Sequence, residues 1–327
     1  MPKKEKETGF RSRITSLMGN DVFIDPNQAG EIEKFSSGSL VLDVELKGGY
    51  PKGKMIEATG DPGTGKTTSA IHCAVEFQKA YPDEEILWLD LEKVFDNEYN
   101  KSLGLDTSHN FTLVRPSTGE DAWTLMIEFA REVQGGLIVL DSVSLLLPIK
   151  EYEGDMGDAQ MASAARMNSQ GLRKIMPHVG KNNTTIFVIN QMRTNIGGYG
   201  QQMVTTGGKG WSYYARTRLR FFKSMPTDKK ELGVFNETKI KLEKATYGNE
   251  YSTAETRIVH GEGFDIYGEV VDLATVLGII DKAGSWYSID DTKLGQGKTN
   301  VSQLFKDNPE LFLEIKEKVS EKIKNNG

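Results

Sequence analysis

The 327 residues carry 40 Lys and Arg against 46 Asp and Glu, a net charge of −6, and 38% of them are hydrophobic. That length suggests about two domains with a globular core, and the charge excludes a uniformly basic nucleic-acid binder while leaving room for a local basic lining. The single cysteine, Cys73, excludes an internal disulfide, no HExxH or CxxC pair marks a metal site, and no apolar run reaches the ~18 residues of a membrane span.

The opening MPKKEKETGFRSR lacks the apolar middle of a signal peptide, so a reducing, cytoplasmic setting is expected. Residues 1–32 are polar, with a short amphipathic piece from Phe10 to Met18 and a turn-like DPNQAG. From 33 to 265 apolar runs alternate with helical stretches. Strands are predicted at 55–59, 85–91, 137–141 and 185–189, each apolar along nearly its whole length, as in a parallel sheet covered on both faces. Helices are predicted at 67–80, where Ile71 and Val75 lie one turn apart, and at 121–132. The alternation is that of an α/β fold with a mostly parallel sheet between helices. From 266 to 327 the texture changes to a helix-like VVDLATVLGIIDKAG, a turn region GSWYSIDDTKLGQGKTN and a helix over 309–324, read as a small separate domain.

Residues 60–68 read GDPGTGKTT at a strand–helix junction and match the P-loop spacing G-x-x-x-x-G-K-[ST]. Gly60, Gly63 and Gly65 let the chain through Asp61, Pro62 and Thr64 curl around phosphates, and the helix start at Lys66, Thr67 and Thr68 adds partial positive charge. Lys66 would reach the β- and γ-phosphates of ATP, and the Thr67 hydroxyl would bind Mg²⁺. LIVLDS ends an apolar strand on Asp141, where a carboxylate on the Mg²⁺ side belongs. Hydrolysis also needs a group to orient water, and Glu92 in LWLDLEKVFD is the candidate. The plain alternative is that Glu92 or Asp90 caps a turn. Finally, the apolar run 186–189 stops on Asn190-Gln191 and passes into a stretch where five of the thirteen residues 196–208 are glycine and none is charged. So long a glycine-rich connection usually has a task.

SSGSLVLDVEL, GDPGTGKTT, LEKVFDNEY, VLDSVSLLLP, EGDMGDAQMASAARMNSQ, INQMR followed by TTGGKG, GEGFDIYGEVVDL and AGSWYSIDDTKLGQGKTN occur in the order found in bacterial RecA recombinases, and residues 33–325 resemble that family. The resemblance implies a RecA-type P-loop ATPase core (33–265), a short N-terminal polymerisation segment (1–32) and a small α+β C-terminal domain (266–327). It implies ATP with Mg²⁺, and as partners single-stranded DNA, homologous double-stranded DNA and further copies in a helical filament with ATP at the protomer interface. Glu92 then matches the water-activating glutamate, Asp96 and Tyr99 the adenine contacts, and Gln191 the γ-phosphate sensor that leads into the second DNA-binding loop. Arg193, Ile196, Gly197, Tyr199, Thr205, Thr206, Gly207 and Gly208 fall in that loop, Met161 in the first loop, and Arg166, Ser169 and Arg173 on the helix between. For Met161, Met167 and Met176 the plain alternative is core packing, and for the helix arginines a solvent-facing surface.

Lys244 matches a lysine that reaches the neighbour's ATP. Thr246 and Ser212 stand where the family has lysines, so a monovalent cation held near Glu243 or phosphate oxygens is expected to make up the lost charge. The family's acidic tail is absent from the ending EIKEKVSEKIKNNG, and the N-terminal segment is abbreviated. A hexameric helicase on the same core, or a nucleotide-dependent regulator that polymerises without pairing DNA, are the rival activities. DNA-stimulated ATP hydrolysis and joint-molecule formation separate the three.

Overall fold

The structure, a computed structural model, describes residues 9–19, 23, 32–155, 163–194, 203–223, 227–229, 233–290 and 292–326. The chain divides into two compact units, 1–33 and 34–327. The first holds helix α1 (Phe10–Met18), which Gly19 ends at φ 83 with its N–H on Thr15 O. No α1 residue is buried.

In the second unit, β1 (Lys34–Phe35) and β2 (Tyr50–Pro51) pair antiparallel on either side of α2 (Leu40–Glu45), whose first turn is capped by the Ser39 hydroxyl. The main body follows as β3 (Met55–Gly60), α3 (Lys66–Ala80), β4 (Ile86–Asp90), α4 (Asn97–Ser102), β5 (Phe111–Val114), α5 (Gly119–Glu132), β6 (Leu137–Asp141), α6 (Ile149–Tyr152) and α7 (Ser163–Asn182). Then come β7 (Thr185–Thr194), β8 (Met203–Thr205), α8 (Gly210–Tyr214), β9 (Thr217–Lys223), β10 (Thr227–Lys229), β11 (Gly233–Ala245), β12 (Thr253–Val259) and β13 (Gly263–Phe264).

These strands join in the order β13-β12-β11-β9-β3-β7-β6-β4-β5. The half from β9 to β5 is parallel, and the wing from β11 to β13 is antiparallel. Successive residues of the parallel strands feed opposite cores, as the two-residue period of a strand requires. Ile56, Trp88, Val139 and Phe187 pack with Ile71, Ala74 and Phe77 of α3. Leu87, Ile138, Leu140 and Val188 pack on the other face with Trp123 and Met126 of α5 and Leu172 and Ile175 of α7. Each large side chain buried this way contributes about 1.5–3 kcal/mol.

The strand expected to stop at 189 instead runs on to Thr194, because Asn190 and Gln191 still pair with β3 and the residues beyond them pair with β8, Met192 opposite Thr205. The antiparallel wing was not read from sequence. β9 buries alternate residues only, so its apolar content is diluted by Arg218 and Arg220.

After β13 come α9 (Ile266–Val276), β14 (Asp281–Ala283), β15 (Trp286–Ile289), β16 (Thr292–Gln296), α10 (Lys298–Asp307) and α11 (Pro309–Asn326). The helix-like stretch 270–284 is helical only to Val276 and ends in β14, and the expected turn region holds β15, β16 and the start of α10, so the three strands form an antiparallel sheet. Val270, Val271, Ala274, Phe305, Ile315 and Val319 make a core of their own. Buried Glu269 fastens it to α2, accepting from the Ser39 hydroxyl (2.8 Å) and Leu40 N (2.6 Å). Burial pushes that carboxyl up to about 7.

Candidate nucleotide site and loop switch

β3 ends on Gly60, and the chain turns through Gly63 and Gly65 into α3. Two positions leave no room for a side chain: a Cβ on Gly65 (φ +98) would lie 2.1 Å from Ile258 Cδ1, and one on Gly60 (φ +147) 2.6 Å from Phe221 O. The turn is closed on itself, with the Thr64 hydroxyl (2.9 Å) and Lys66 Nζ (2.7 Å) both donating to Asp61 O. Lys66 is buried, and burial lowers its proton affinity while Glu92, Asp141 and Asp61 oppose that.

Asp141 ends β6 across from this turn. Its Oδ2 accepts the Thr67 hydroxyl at 2.9 Å, and its buried Oδ1 has no hydrogen-bond partner among the described residues. Burial, then the charge of Glu92, push the carboxyl up to about 7. A buried carboxylate oxygen without a partner, beside a hydroxyl and short of positive charge, is a donor set that fits Mg²⁺.

The two carboxylates after β4 divide their tasks. Asp90 is the turn cap: it accepts from Val94 N (3.0 Å), Phe95 N (3.3 Å) and Arg115 Nε (2.9 Å). Glu92 is thereby left free of the turn and faces the P-loop. Its Oε1 accepts from the Ser142 hydroxyl (2.8 Å) and from Gln191 Nε2 (3.0 Å). Gln191 reaches it across the end of β6, which pairs with both β4 and β7, and it lies beside the P-loop because β7 pairs with β3, Gln191 opposite Gly60. Ser144 lies 2.7 Å behind Ser142.

A cavity of about 410 Å³ joins these groups, lined by Pro62, Gly63, Gly65, Lys66, Thr67, Thr68, Glu92, Tyr99, Asp141 and Gln191. Tyr99 OH lies 3.2 Å from the Thr68 hydroxyl. Asp96 caps α4, accepting from Glu98 N (2.9 Å) and Tyr99 N (3.1 Å), and is itself exposed. Gly60, Asp61, Thr64 and Asp96 shape the site without lining it. The far wall is Asn236, Ile258, Val259, His260 and Gly261. None of these was singled out from sequence. They come from the antiparallel wing, and only the HGEG turn at 260–263 signals a bend there.

Beyond Gln191 the chain is anchored and then released. Buried Asn190 donates to Glu57 Oε1 (3.0 Å) and Thr206 O (3.2 Å), and accepts the Thr206 hydroxyl at 2.6 Å. Thr206 N donates to Gln191 O at 3.3 Å, and Asn168 of α7 donates to Gly207 O at 3.1 Å. The return arm Thr205, Thr206, Gly207 and Gly208 is thus half-buried against β7 and α7. Arg166, Ser169 and Arg173 lie exposed on one face of α7, and Arg193 is exposed on β7. Met167 and Met176 pack on the core. Met161, Ile196, Gly197 and Tyr199 lie outside the described residues.

A family model described as RecA N-terminal domain matches residues 12–265, and one described as RecA C-terminal domain matches 268–324. The chain belongs to the RecA family. Proteins named Protein RecA are similar to it along most of their length. That of Porphyromonas gingivalis is 40% identical over 301 residues, 91% of this chain and 88% of the relative. That of Bacteroides thetaiotaomicron is 40% identical over 317 residues, 96% and 93%. That of Cytophaga hutchinsonii is 39% identical over 334 residues, 100% and 93%. Membership in the RecA family makes this an ATP-dependent recombinase and a DNA-dependent ATPase. No helix among the described residues is long and apolar enough to cross a membrane.

Lys244 is not brought to the cavity. It sits near the end of β11 opposite Arg218, and its Nζ donates to Ser212 O (3.3 Å) and Tyr213 O (3.1 Å) at the end of α8. Burial, then Arg216 and Arg218, lower its proton affinity. Glu243, the expected seat of a monovalent cation, is taken by Arg218 (3.4 Å) and Arg220 (3.5 Å).

Proposed function

We propose that the cavity hydrolyses ATP with Glu92 orienting the attacking water, and that Gln191 passes the state of the γ-phosphate to the DNA-binding loop. One observation carries this reading: Glu92 Oε1 is shared between the Ser142 hydroxyl and the Gln191 amide. The amide has two N–H donors and one acceptor. A γ-phosphate held by Lys66 draws those donors away from Glu92. The freed carboxylate oxygen is then available to the water, while Ser142 still fixes the side chain. Because Gln191 O accepts from Thr206 N, the same displacement pulls on the arm carrying Thr205–Gly208. Thr67 and Asp141 would hold Mg²⁺, which supplies charge neutralisation at the phosphates.

Ordered by ATP, the loop and α7 bind single-stranded DNA without sequence preference. Arg166, Arg173 and Arg193 with Ser169, Thr205 and Thr206 meet phosphates, and the glycines let backbone N–H groups approach. Ile196 and Met161, with Gly197 and Tyr199, belong to the same proposal on family register alone. Adenine lies against Tyr99, with Asp96 beyond it. Copies polymerise on the strand with ATP between them, Lys244 facing the next copy's nucleotide, and pair the strand with homologous duplex. Residues 1–32 serve polymerisation, 33–265 carry the chemistry and 266–327 form the C-terminal domain, in the cytoplasm.

The test is the ratio of single-stranded DNA affinities with and without an ATP analogue, in wild type and Gln191→Ala. The variant should bind ATP yet lose the ATP-induced tightening. An unchanged ratio removes Gln191 from the switch.

A further inference from the structure

The end of the sheet opposite the P-loop gathers cations that the intact chain does not neutralise. Lys54 precedes β3, Arg216 precedes β9 and Lys244 lies near the end of β11. Backbone bonds hold the three segments together: Arg216 N donates to Met55 O at 2.8 Å, and Thr246 N to Arg216 O at 3.0 Å. The acids nearby are committed elsewhere or peripheral. Glu57 binds Arg218 (2.7 Å) and Asn190 (3.0 Å), Glu243 binds Arg218 and Arg220, and Glu250 offsets Lys244 only in part. Arg216 is exposed, and neither it nor Lys54 makes an ion pair among the described residues. Arg216 also disfavours the charged forms of both lysines, in each case after burial.

Arg216 thus stands beside Thr246, the position where the chain lacks a lysine. We propose that Arg216 is a phosphate-binding residue acting on the nucleotide held by a second copy of this chain, supplying with Lys244 the cation that Thr246 does not. The inference rests on the reading that ATP sits between copies. The placement argues for that occupant. One end of β3 carries the polyphosphate pocket and the other the unneutralised cations, so identical chains satisfy both ends only head to tail, a heterologous contact that repeats from copy to copy. Arginine suits the role because its guanidinium keeps its charge when desolvated and grips two phosphate oxygens at once, whereas a lysine ammonium sheds its proton more readily.

The experiment measures DNA-dependent ATP hydrolysis of Arg216→Ala, of Lys66→Ala and of their equimolar mixture. Arg216→Ala should lower turnover on the order of tenfold to a hundredfold, less than the loss of a lone arginine finger because Lys244 remains. Its nucleotide affinity without DNA should be unchanged, since Arg216 does not line its own pocket. The mixture should exceed the sum of the two variants, because Lys66→Ala copies lend Arg216 to intact P-loops. Thr246→Lys in the Arg216→Ala background should restore turnover, which a merely structural arginine would not allow. A wild-type chain without DNA-dependent hydrolysis overturns the interfacial reading itself. An active wild type whose Arg216→Ala form is equally fast, or whose mixture gives only the sum, overturns the assignment of Arg216 alone.

Discussion

The two ends of strand β3 make an instructive pair. Past Gly60 the backbone curls into the P-loop turn, in which one buried lysine faces Glu92 and Asp141, and the buried Oδ1 of Asp141 has no hydrogen-bond partner among the described residues. Before Met55 the polarity is reversed: Lys54, Arg216 and Lys244 crowd together, and burial lowers the proton affinity of both lysines. A six-residue strand separates a site short of positive charge from one with a surplus. Each end is electrostatically incomplete alone, as the proposed head-to-tail contact between identical chains requires.

The comparison breaks most severely at the P-loop. Lys66→Ala removes the cation that the cradle is built around and should abolish ATP hydrolysis, by about a thousandfold or more, with weakened nucleotide binding. Steady-state turnover and a fluorescent-nucleotide titration check it, and near-normal hydrolysis would show that phosphate is held elsewhere. Glu92→Gln is gentler, since Asp90 keeps the turn closed. Nucleotide binding and filament formation should survive while turnover falls roughly a hundredfold. Wild-type turnover in that variant would remove Glu92 as the water-orienting group.

Loss at either end could also come from global unfolding, and His72 on α3 tells the two apart. Its Nε2 accepts from Phe264 N at 3.1 Å, and burial, then Lys79, lower its pKa from 6.5 to about 4. The folded chain therefore favours the neutral ring. This stability is complete above pH 6.5 and is lost as pH falls from there through about 4, a change of about 3 kcal/mol at roughly 1.4 kcal/mol per unit. His72→Gln keeps an acceptor without the titration, so denaturation midpoints at pH 7.5 and 4.5 should differ less in the variant. Equal acid sensitivity would place the titrating group elsewhere. Activity comparisons between the two ends belong above pH 6.5.

The smallest effect is expected on α7. Arg166→Ala and Arg173→Ala remove exposed charges, and each should weaken binding to all single strands alike. Each lost phosphate contact lowers the salt slope by roughly 0.7. Identical slopes in wild type and variants would make these arginines ordinary surface residues.

Much of the nucleotide site was legible because it is local. GDPGTGKTT and the strand-end Asp141 depend on neighbours within a few residues, and long apolar runs announce fully buried parallel strands. Which of Asp90 and Glu92 caps the turn was not legible, since both follow the same strand. The choice came from Arg115 closing on Asp90 and Ser142 on Glu92. Asn236 and His260 were invisible because they enter the cavity from a wing more than 160 residues beyond the P-loop in the chain, whose half-buried strands dilute their apolar pattern. The first turn of α10, Lys298–Asn300, was read as turn because Gly295 and Gly297 precede it, and the rest of that helix was given no assignment.

By itself, then, the sequence determined the chemistry available here: a P-loop motif, a strand-end carboxylate, a candidate water-orienting glutamate and a glycine-rich segment after an amide. Those are set by residue type and short spacing. Only the tertiary structure decided which groups share a partner and which are left without one. Glu92 meets Gln191 because β6 pairs with β4 on one side and β7 on the other, and Arg216 comes to lie beside Thr246 through the pairing of β9 with β11. The reason is physical: spacing along the chain orders neighbours within one element, whereas charge balance depends on distances between elements that sheet pairing alone brings together.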